Sequence, residues 1–217
     1  MNFYRNNWFY FSIIWFIVIA FYMLFWGVHC FSPLQIILIA SFMALLIHQF
    51  EEYVLPGGGP VVVNKATFNE RALFRNFPGN MHSSMIVNHL AYAIYLVAII
   101  FSDLIWLGVA TMFFNLFQLF GHGLQMNRVL NTWYNPGLAS VIFLFIPISV
   151  YYFIFIIDND LITSIGWFYG TSAFVGMVLF STILPVQLLK NKKSPYVIPE
   201  WQVQQQEKLQ HKFCLKK

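Results

Sequence analysis

Charged residues are scarce in this chain: Asp, Glu, Lys and Arg together make up only 9% of its 217 residues. Soluble domains carry about 25% charged residues, so a water-soluble globule is excluded. Disorder is also excluded, because 59% of the residues are hydrophobic and 20% are aromatic, whereas disordered segments are polar. The composition therefore predicts an integral membrane protein with membrane lipids as its surroundings.

Long apolar runs, in contrast, are abundant. A helix needs about 20 mostly apolar residues to cross the hydrocarbon core, and a lone strand cannot satisfy its backbone there. The sequence predicts an all-α fold, a polytopic transmembrane helix bundle that forms a single domain over residues 1–189. Its six predicted spans are Trp8–Trp26, Pro33–Tyr53, Ser83–Phe101, Leu104–Gln125, Leu138–Ile157 and Thr163–Leu189.

The few basic residues are distributed unevenly between the predicted loops. All twelve Lys and Arg residues fall in segments on one side of the predicted membrane, namely 1–7, 54–82, 126–137 and 190–217. The positive-inside rule assigns that side, and with it both termini, to the cytoplasm. Residues 190–217 are then a basic cytoplasmic tail beside an anionic leaflet, with Trp201 and Val203 in a predicted surface-lying helix. The net charge of +4 requires no nucleic-acid partner.

Cysteine is scarce as well, since the chain contains only Cys30 and Cys214. The predicted topology places Cys30 outside and Cys214 inside. These two thiols therefore cannot pair within one chain.

The second span ends in a cluster of ionisable side chains, His48, Glu51 and Glu52. Ionisable groups within spans are costly and usually face the bundle interior. At about 100° per residue, both carboxylates lie within roughly 60° of the histidine around the helix. A histidine and a carboxylate at this spacing can bind a divalent metal, as in helix-bundle di-metal proteins, or act as an acid–base pair.

Further polar residues are predicted at the same depth. His48, His89 and His122 each lie about 7–11 Å inside the cytoplasmic end of a helix that rises 1.5 Å per residue. We therefore predict one site that opens toward the cytoplasm. Its candidate catalytic residues are His48, Glu51, Glu52, His122 and His89, and its candidate substrate-binding residues are Asn88, Asn115, Gln118, Gln125, Arg128 and Tyr134.

Structural explanations exist for the same residues. Polar side chains hold spanning helices together through hydrogen bonds. Glu51 and Glu52 can also reach the headgroup region and pair with Arg71 or Arg75. Arg128 either holds an anionic headgroup or serves as a topogenic charge.

Two short motifs resemble those of a known family. His48-Gln49-Phe50-Glu51-Glu52 matches an HxxEE pattern, Tyr134-Asn135-Pro136-Gly137 matches YxPG, and His122 precedes the second motif. Over roughly Leu45 to Gly170 the chain resembles the HXXEE domain family of multi-spanning membrane proteins. His122 fits the additional histidine of the family better than His89. The resemblance implies a shared site and names no reaction, because the family has no established activity.

Three functions are compatible with these residues. The first is a membrane-embedded enzyme for a lipid or other lipophilic small molecule, for example a hydrolase in which His48, Glu51, Glu52 and His122 bind a divalent metal, zinc or iron. The second is a metal-free, isomerase-like enzyme that uses the same groups as acids and bases. The third is a non-catalytic transporter or lipophilic ligand-binding protein, although the chain lacks the inverted repeats common in transporters. A structural or assembly role is a further alternative.

Overall fold

The computed structural model describes residues 2–215, and most of them are helical. Lys216 and Lys217 of the predicted basic tail lie outside the described residues. In chain order the helices are α1 Phe3–Cys30, α2 Pro33–Tyr53, α3 Gly59–Val62, α4 Met81–Ile100, α5 Ile105–Leu130, α6 Leu138–Asp158, α7 Ser164–Leu189 and α8 Glu200–Lys212. Within the described residues, six of these are long and apolar enough to cross a membrane. The predicted all-α bundle of six spans is therefore confirmed.

Two spans extend beyond their predicted bounds. The first begins at Phe3 and ends at Cys30, and the fourth continues to Leu130. Hydropathy detects only the part of a helix that lies in the hydrocarbon core. Both helices continue past that part into residues that are more polar, so their ends could not be predicted from apolar character.

The starts of the spanning helices are set by local hydrogen bonds. Ser32 forms a capping box with Gln35 at the start of α2, and Asn80 forms another with Ser83 at the start of α4. Thr163 accepts a hydrogen bond from the N–H of Gly166 at the start of α7. These side chains supply the acceptors that the first helical N–H groups lack. The breaks between the spans therefore occur close to the predicted positions.

The two ends of the described chain lie at the same end of the bundle. Trp8 and Phe9 of α1 pack with Tyr53, at the end of α2, and with Ile198 and Val203 in one buried cluster. We call this the polar end, because it also holds the loops that carry the basic residues. Its assignment to the cytoplasm stays a prediction from the charge distribution.

Helix α8 packs against the polar end through buried glutamines. The side chain of Gln202 accepts a hydrogen bond from the N–H of Gly58 and donates one to the carbonyl oxygen of Tyr53 at 2.6 Å. Gly58 has φ 97°, and a Cβ added to it would lie 3.1 Å from the backbone nitrogen of Gln206. Because Gln202 and Gln206 are buried, α8 is part of the packed structure as well as a surface helix.

Candidate metal centre

Three of the predicted site residues meet at the polar end: His48 and Glu52, one turn apart on α2, and His122 on α5. The Nε2 atom of His122 lies 3.4 Å from Oε1 of Glu52, and Nε2 of His48 lies 3.9 Å from Oε2. One ligand atom from each residue lies within 4.8 Å of the other two. Ligand atoms that lie about 2.1 Å from a tetrahedral ion are about 3.4 Å from one another. These three residues, called the metal group below, can therefore hold a metal ion.

His122 lies in the π-helical segment Leu119–Met126. In a π-helix the hydrogen bonds span five residues, so the helix is wider than an α-helix and its side chains are spaced differently. Segments of this kind are frequent at functional sites. The direction of the His122 side chain therefore could not be calculated from α-helical spacing.

Asn135 fixes the orientation of the His122 ring. Its amide nitrogen donates to the carbonyl oxygen of His122 and to Oδ1 of Asn127, each at 2.7 Å. Its amide oxygen lies 2.7 Å from Nδ1 of His122. Because an amide oxygen only accepts hydrogen bonds, Nδ1 carries the hydrogen. In its neutral form the ring therefore presents the lone pair of Nε2 toward Glu52.

Ser140 and Glu51 orient the His48 ring in a similar way. The hydroxyl of Ser140 donates to Oε2 of Glu51 at 2.6 Å, and its oxygen accepts from Nδ1 of His48 at 2.9 Å. Nε2 of His48 is thus available on the side of Glu52. Hydrogen bonds of this type, on the nitrogen remote from the ligand position, are typical of metal-binding histidines.

Glu51 lies next to the metal group but not in it. Its carboxylate accepts hydrogen bonds from the Tyr134 hydroxyl at 2.8 Å, from the N–H of Ala139 at 3.1 Å, and from the N–H and hydroxyl of Ser140. Four donors occupy the accepting positions of a carboxylate. The structure therefore assigns Glu51 to the start of α6, where a negative charge also interacts favourably with the helix dipole.

Tyr134 is a half-buried partner of Glu51. Burial, together with the adjacent Glu51 carboxylate, raises the pKa of the Tyr134 phenol above its ordinary value. The phenol therefore stays protonated and donates to Glu51. Tyr134 acts on the site through Glu51 and, unlike a substrate-binding residue, does not line the cavity described below.

Gly137 packs against both imidazoles, whose rings also contact each other edge-on with a centroid distance of 5.1 Å. Its φ is 104°, a conformation that favours glycine. A Cβ added to it would lie 2.5 Å from Cε1 of His122 and 2.9 Å from Cε1 of His48. The last position of the YxPG motif therefore needs glycine both for its backbone and for its contact with both rings.

Three residues that orient the rings were not predicted from the sequence: Ser140, Asn135 and Gly137. Asn135 and Gly137 belong to a predicted turn, and the turn alone accounts for their residue types. Only the contact of this turn with α2 and α5 reveals their second role.

A cavity of about 400 Å³ borders the metal group. Its walls are mostly apolar and come from α2, from α3 and the segment that follows it, and from α4, α5 and α7, with His48, Glu52 and His122 among the lining residues. Of the predicted substrate-binding residues, Asn88, Gln118 and Gln125 line it. Within the described residues, the side chains of Gln118 and Gln125 make no hydrogen bond.

His89 lies outside the metal group. Its Nε2 is 2.6 Å from the hydroxyl of Tyr4, its Nδ1 is 2.7 Å from the carbonyl oxygen of Met85, and its ring packs edge-on against Trp8. These contacts join α4 to α1. The common pocket expected to contain three histidines thus brings together two.

Asn115 and Asn88 are engaged in contacts between helices. Asn115 is buried and donates to the hydroxyls of Ser41 at 2.9 Å and Ser149 at 3.4 Å. The amide of Asn88 accepts a hydrogen bond from Gln49 at 2.8 Å. Polar groups used in this way connect spanning helices. Hydrogen bonds to other helices therefore account for both asparagines.

Arg128 lies apart from the cavity. It lines a wider groove of about 880 Å³ on the surface, together with Trp133, and this groove adjoins the cavity at Gln125. Arg128 is thus not among the residues that line the cavity, and a headgroup bound to it would lie in the surface groove.

A family model described as "Protein of unknown function with HXXEE motif" matches residues 39–152 of the chain. This range covers more than half of the sequence and contains His48, Glu52 and His122 as well as the turn at Tyr134–Gly137. No curated protein and no solved structure matches the chain. The family description names no activity, so a function has to be inferred from the geometry of the site.

Proposed function

The chain belongs to the HXXEE family, and from this premise we propose that it is a membrane-embedded metalloenzyme, a hydrolase of a lipid or other lipophilic substrate. The observation that carries the proposal is the position of His48, Glu52 and His122 on the wall of a mostly apolar cavity. Two histidines and one glutamate are a donor set of catalytic zinc sites, which keep a further position for water or substrate. Here that position is reached from the cavity.

The distances in the metal group support a metal site over a metal-free acid–base pair. Charge-assisted hydrogen bonds are about 2.7–2.9 Å long. The separations from Glu52 to His122 and His48 are 3.4 Å and 3.9 Å. They are closer to the spacing of atoms that share an ion. The isomerase-like alternative, which needs direct proton transfer between these groups, is therefore less well supported.

A divalent ion held by this group supplies Lewis-acid chemistry, which makes water more acidic and polarises a carbonyl group. The protein holds both imidazoles in the ligand form through Asn135 and Ser140. Hydrolysis adds one water across an acyl bond and releases a carboxylic acid and an alcohol or amine. The donor set also fits iron(II), so the identity of the bound metal decides between hydrolytic and oxidative chemistry.

Metal analysis of the purified full-length protein in detergent tests the metal site. We expect stoichiometric zinc or iron in the wild type and its loss in His48→Ala, Glu52→Ala and His122→Ala. His89→Ala is the matched control, because His89 is a histidine within a span that lies outside the metal group. Equal metal content in His122→Ala and His89→Ala would contradict the proposal.

Lipid turnover tests the catalytic part. Wild type and His122→Ala are reconstituted with a total membrane lipid extract, and the lipids are compared by mass spectrometry. We expect a lipid species that is consumed only by the wild type, together with its acid and alcohol or amine products. Metal binding without any consumed species would favour a non-catalytic binding protein.

We also infer that the polar end faces the cytoplasm, since the loops with basic residues lie there. Two exposed thiols report on this, Cys214 near the polar end and Cys30 near the opposite end. A membrane-impermeant thiol reagent added to intact cells is expected to label Cys30 and to spare Cys214. The reverse labelling would invert the topology.

A further inference from the structure

If the proposed function holds, a lipid must reach the metal group, and we propose that an uncharged lipid enters it sideways from the bilayer. The entrance is the space between Leu119–Met126 of α5 and Val178–Leu189 of α7, called the lateral gap below. The inference depends on the proposed function and adds a route and a substrate class to it.

Away from the polar end, α5 and α7 are in close contact. A Cβ added to Gly170 of α7 would lie only 2.5 Å from Cγ1 of Val109 of α5. The ring of Phe174 packs against Phe113 and Phe117, with centroid distances of 6.0 Å and 5.8 Å. These contacts pack the two helices against each other in this half of the bundle.

Toward the polar end the two helices separate. Within residues 2–215, Leu119–Met126 is not closely packed against Val178–Leu189, which packs against α4 instead. A Cβ added to Gly121 would meet no atom within 4 Å. Gly121 on one side and Thr182 and Val186 on the other all line the cavity. The lateral gap is therefore continuous with the cavity beside the metal group.

The rims of the lateral gap are apolar and exposed. Phe117 on α5 and Ile183 on α7 both line the cavity, yet their exposed fractions are 41% and 44%. Because both residues belong to spanning helices, the surface they expose faces the hydrocarbon region. An acyl chain in the bilayer can therefore reach the cavity without leaving an apolar environment.

Three polar side chains inside the cavity have no partner among the described residues. The buried hydroxyl of Thr182 makes no hydrogen bond, and neither do the amides of Gln118 and Gln125. Gln118 and Gln125 flank His122 on the same helix. A polar group in an apolar cavity is costly unless something hydrogen-bonds to it. A ligand with hydrogen-bonding groups at the depth of His122 would supply these partners.

The charge of the lining selects the class of lipid. Glu52 is the only Asp, Glu, Lys or Arg residue among the described residues that line the cavity. Arg128, the one basic residue of its loop, lies in a different groove. Phosphate groups are normally bound by Arg and Lys side chains, and neither type is among the described residues that line the cavity. Two amides and a hydroxyl fit an uncharged ester, amide or alcohol instead.

Photolabelling tests the route without relying on turnover. The full-length protein is reconstituted in phosphatidylcholine vesicles that contain a monoacylglycerol with a diazirine in its acyl chain. We expect label on Leu45 and Phe114, which are buried in the cavity wall. Phe143 is 73% exposed on α6 and serves as the internal reference for labelling from the bilayer.

Two glycine variants on α5 form a matched pair for this experiment. Gly121→Leu places a side chain in the lateral gap, whereas the side chain of Gly123→Leu would contact Leu119 instead. We expect Gly121→Leu to reduce the label on Leu45 and Phe114 several-fold relative to Phe143, and Gly123→Leu to leave it unchanged. Unchanged cavity labelling in Gly121→Leu, or no labelling of Leu45 and Phe114 in the wild type, would overturn lateral entry.

A second probe tests the lipid class. Lysophosphatidylcholine with the same photoreactive chain is expected to label Leu45 and Phe114 several-fold less than the monoacylglycerol. Equal or stronger labelling by the phosphate-containing probe would overturn the assignment to uncharged lipids. Metal content is measured in the same samples, so failure of the metal site is detected separately from failure of the route.

Discussion

The hydroxyl of Tyr134 lies 2.8 Å from a carboxylate oxygen of Glu51 and donates a hydrogen bond to it. This contact joins the HxxEE motif at the end of α2 to the YxPG motif before α6. The same carboxylate accepts hydrogen bonds from the N–H groups of Ala139 and Ser140. One carboxylate therefore fixes the turn that brings Gly137 and Ser140 against His48.

Removing the Tyr134 hydroxyl is expected to weaken the fold while leaving the metal group in place. A hydrogen bond to a charged group contributes about 1.5–3 kcal/mol, so Tyr134→Phe should lower the free energy of unfolding by that amount. The other donors still hold Glu51, and metal content should not change. Denaturant unfolding in detergent, with metal analysis, measures both. Tyr151→Phe, at an exposed position on α6, should have no effect. A similar loss of unfolding free energy in Tyr151→Phe would contradict this explanation.

Ser140→Ala is expected to weaken metal binding by about 10–100-fold, the usual effect of losing a group that orients a ligating histidine. The hydroxyl of Ser140 accepts a hydrogen bond from His48 and donates one to Glu51. Both His48 and Glu51 therefore lose a partner in this variant. Competition with a chelator measures the affinity. Ser149→Ala is the control, because Ser149 is also buried on α6 but hydrogen-bonds to Asn115. Identical affinities in the two variants would show that Ser140 does not position His48.

Gly137→Ala is expected to abolish metal binding. The added Cβ would lie 2.5 Å from His122 and 2.9 Å from His48, so both rings must move away from residue 137. The left-handed backbone adds strain of about 1–3 kcal/mol. Gly176→Ala, where the nearest atom is 3.9 Å away, should keep both metal and stability. Metal analysis and denaturant unfolding measure the two effects. Full metal content in Gly137→Ala would contradict the expected loss of metal binding.

Gln202→Leu is expected to detach α8 from the polar end. The N–H of Gly58 and the carbonyl oxygen of Tyr53 would lose their partner, at a cost of about 1–3 kcal/mol for each buried group. Limited proteolysis should then cut before Glu200 faster than in the wild type. Gln204→Leu alters an exposed glutamine of the same helix and should not change the cleavage rate. Wild-type cleavage of Gln202→Leu would refute this role of Gln202.

The neighbouring residues Glu51 and Glu52 have different partners although they lie next to each other on α2. Both were predicted as ligands, because both lie near His48 around the helix. They nevertheless point about 100° apart, so Glu52 reaches His122 while Glu51 reaches the start of α6. Which carboxylate binds a metal depends on what packs against each side of α2. That packing cannot be derived from the spacing of residues along one helix.

The sequence by itself determined the class of fold, the six spans and the residues worth testing, because hydropathy, segment length and loop charge are local properties of the chain. Only the tertiary structure decided that His122 and not His89 faces His48, and that Gly137, Asn135 and Ser140 hold the two rings. The directions of these side chains depend on the rotation of each helix and on the π-helical segment around His122. They also depend on the contact of the turn before α6 with α2 and α5. Each of them arises from the packing of segments far apart in the sequence.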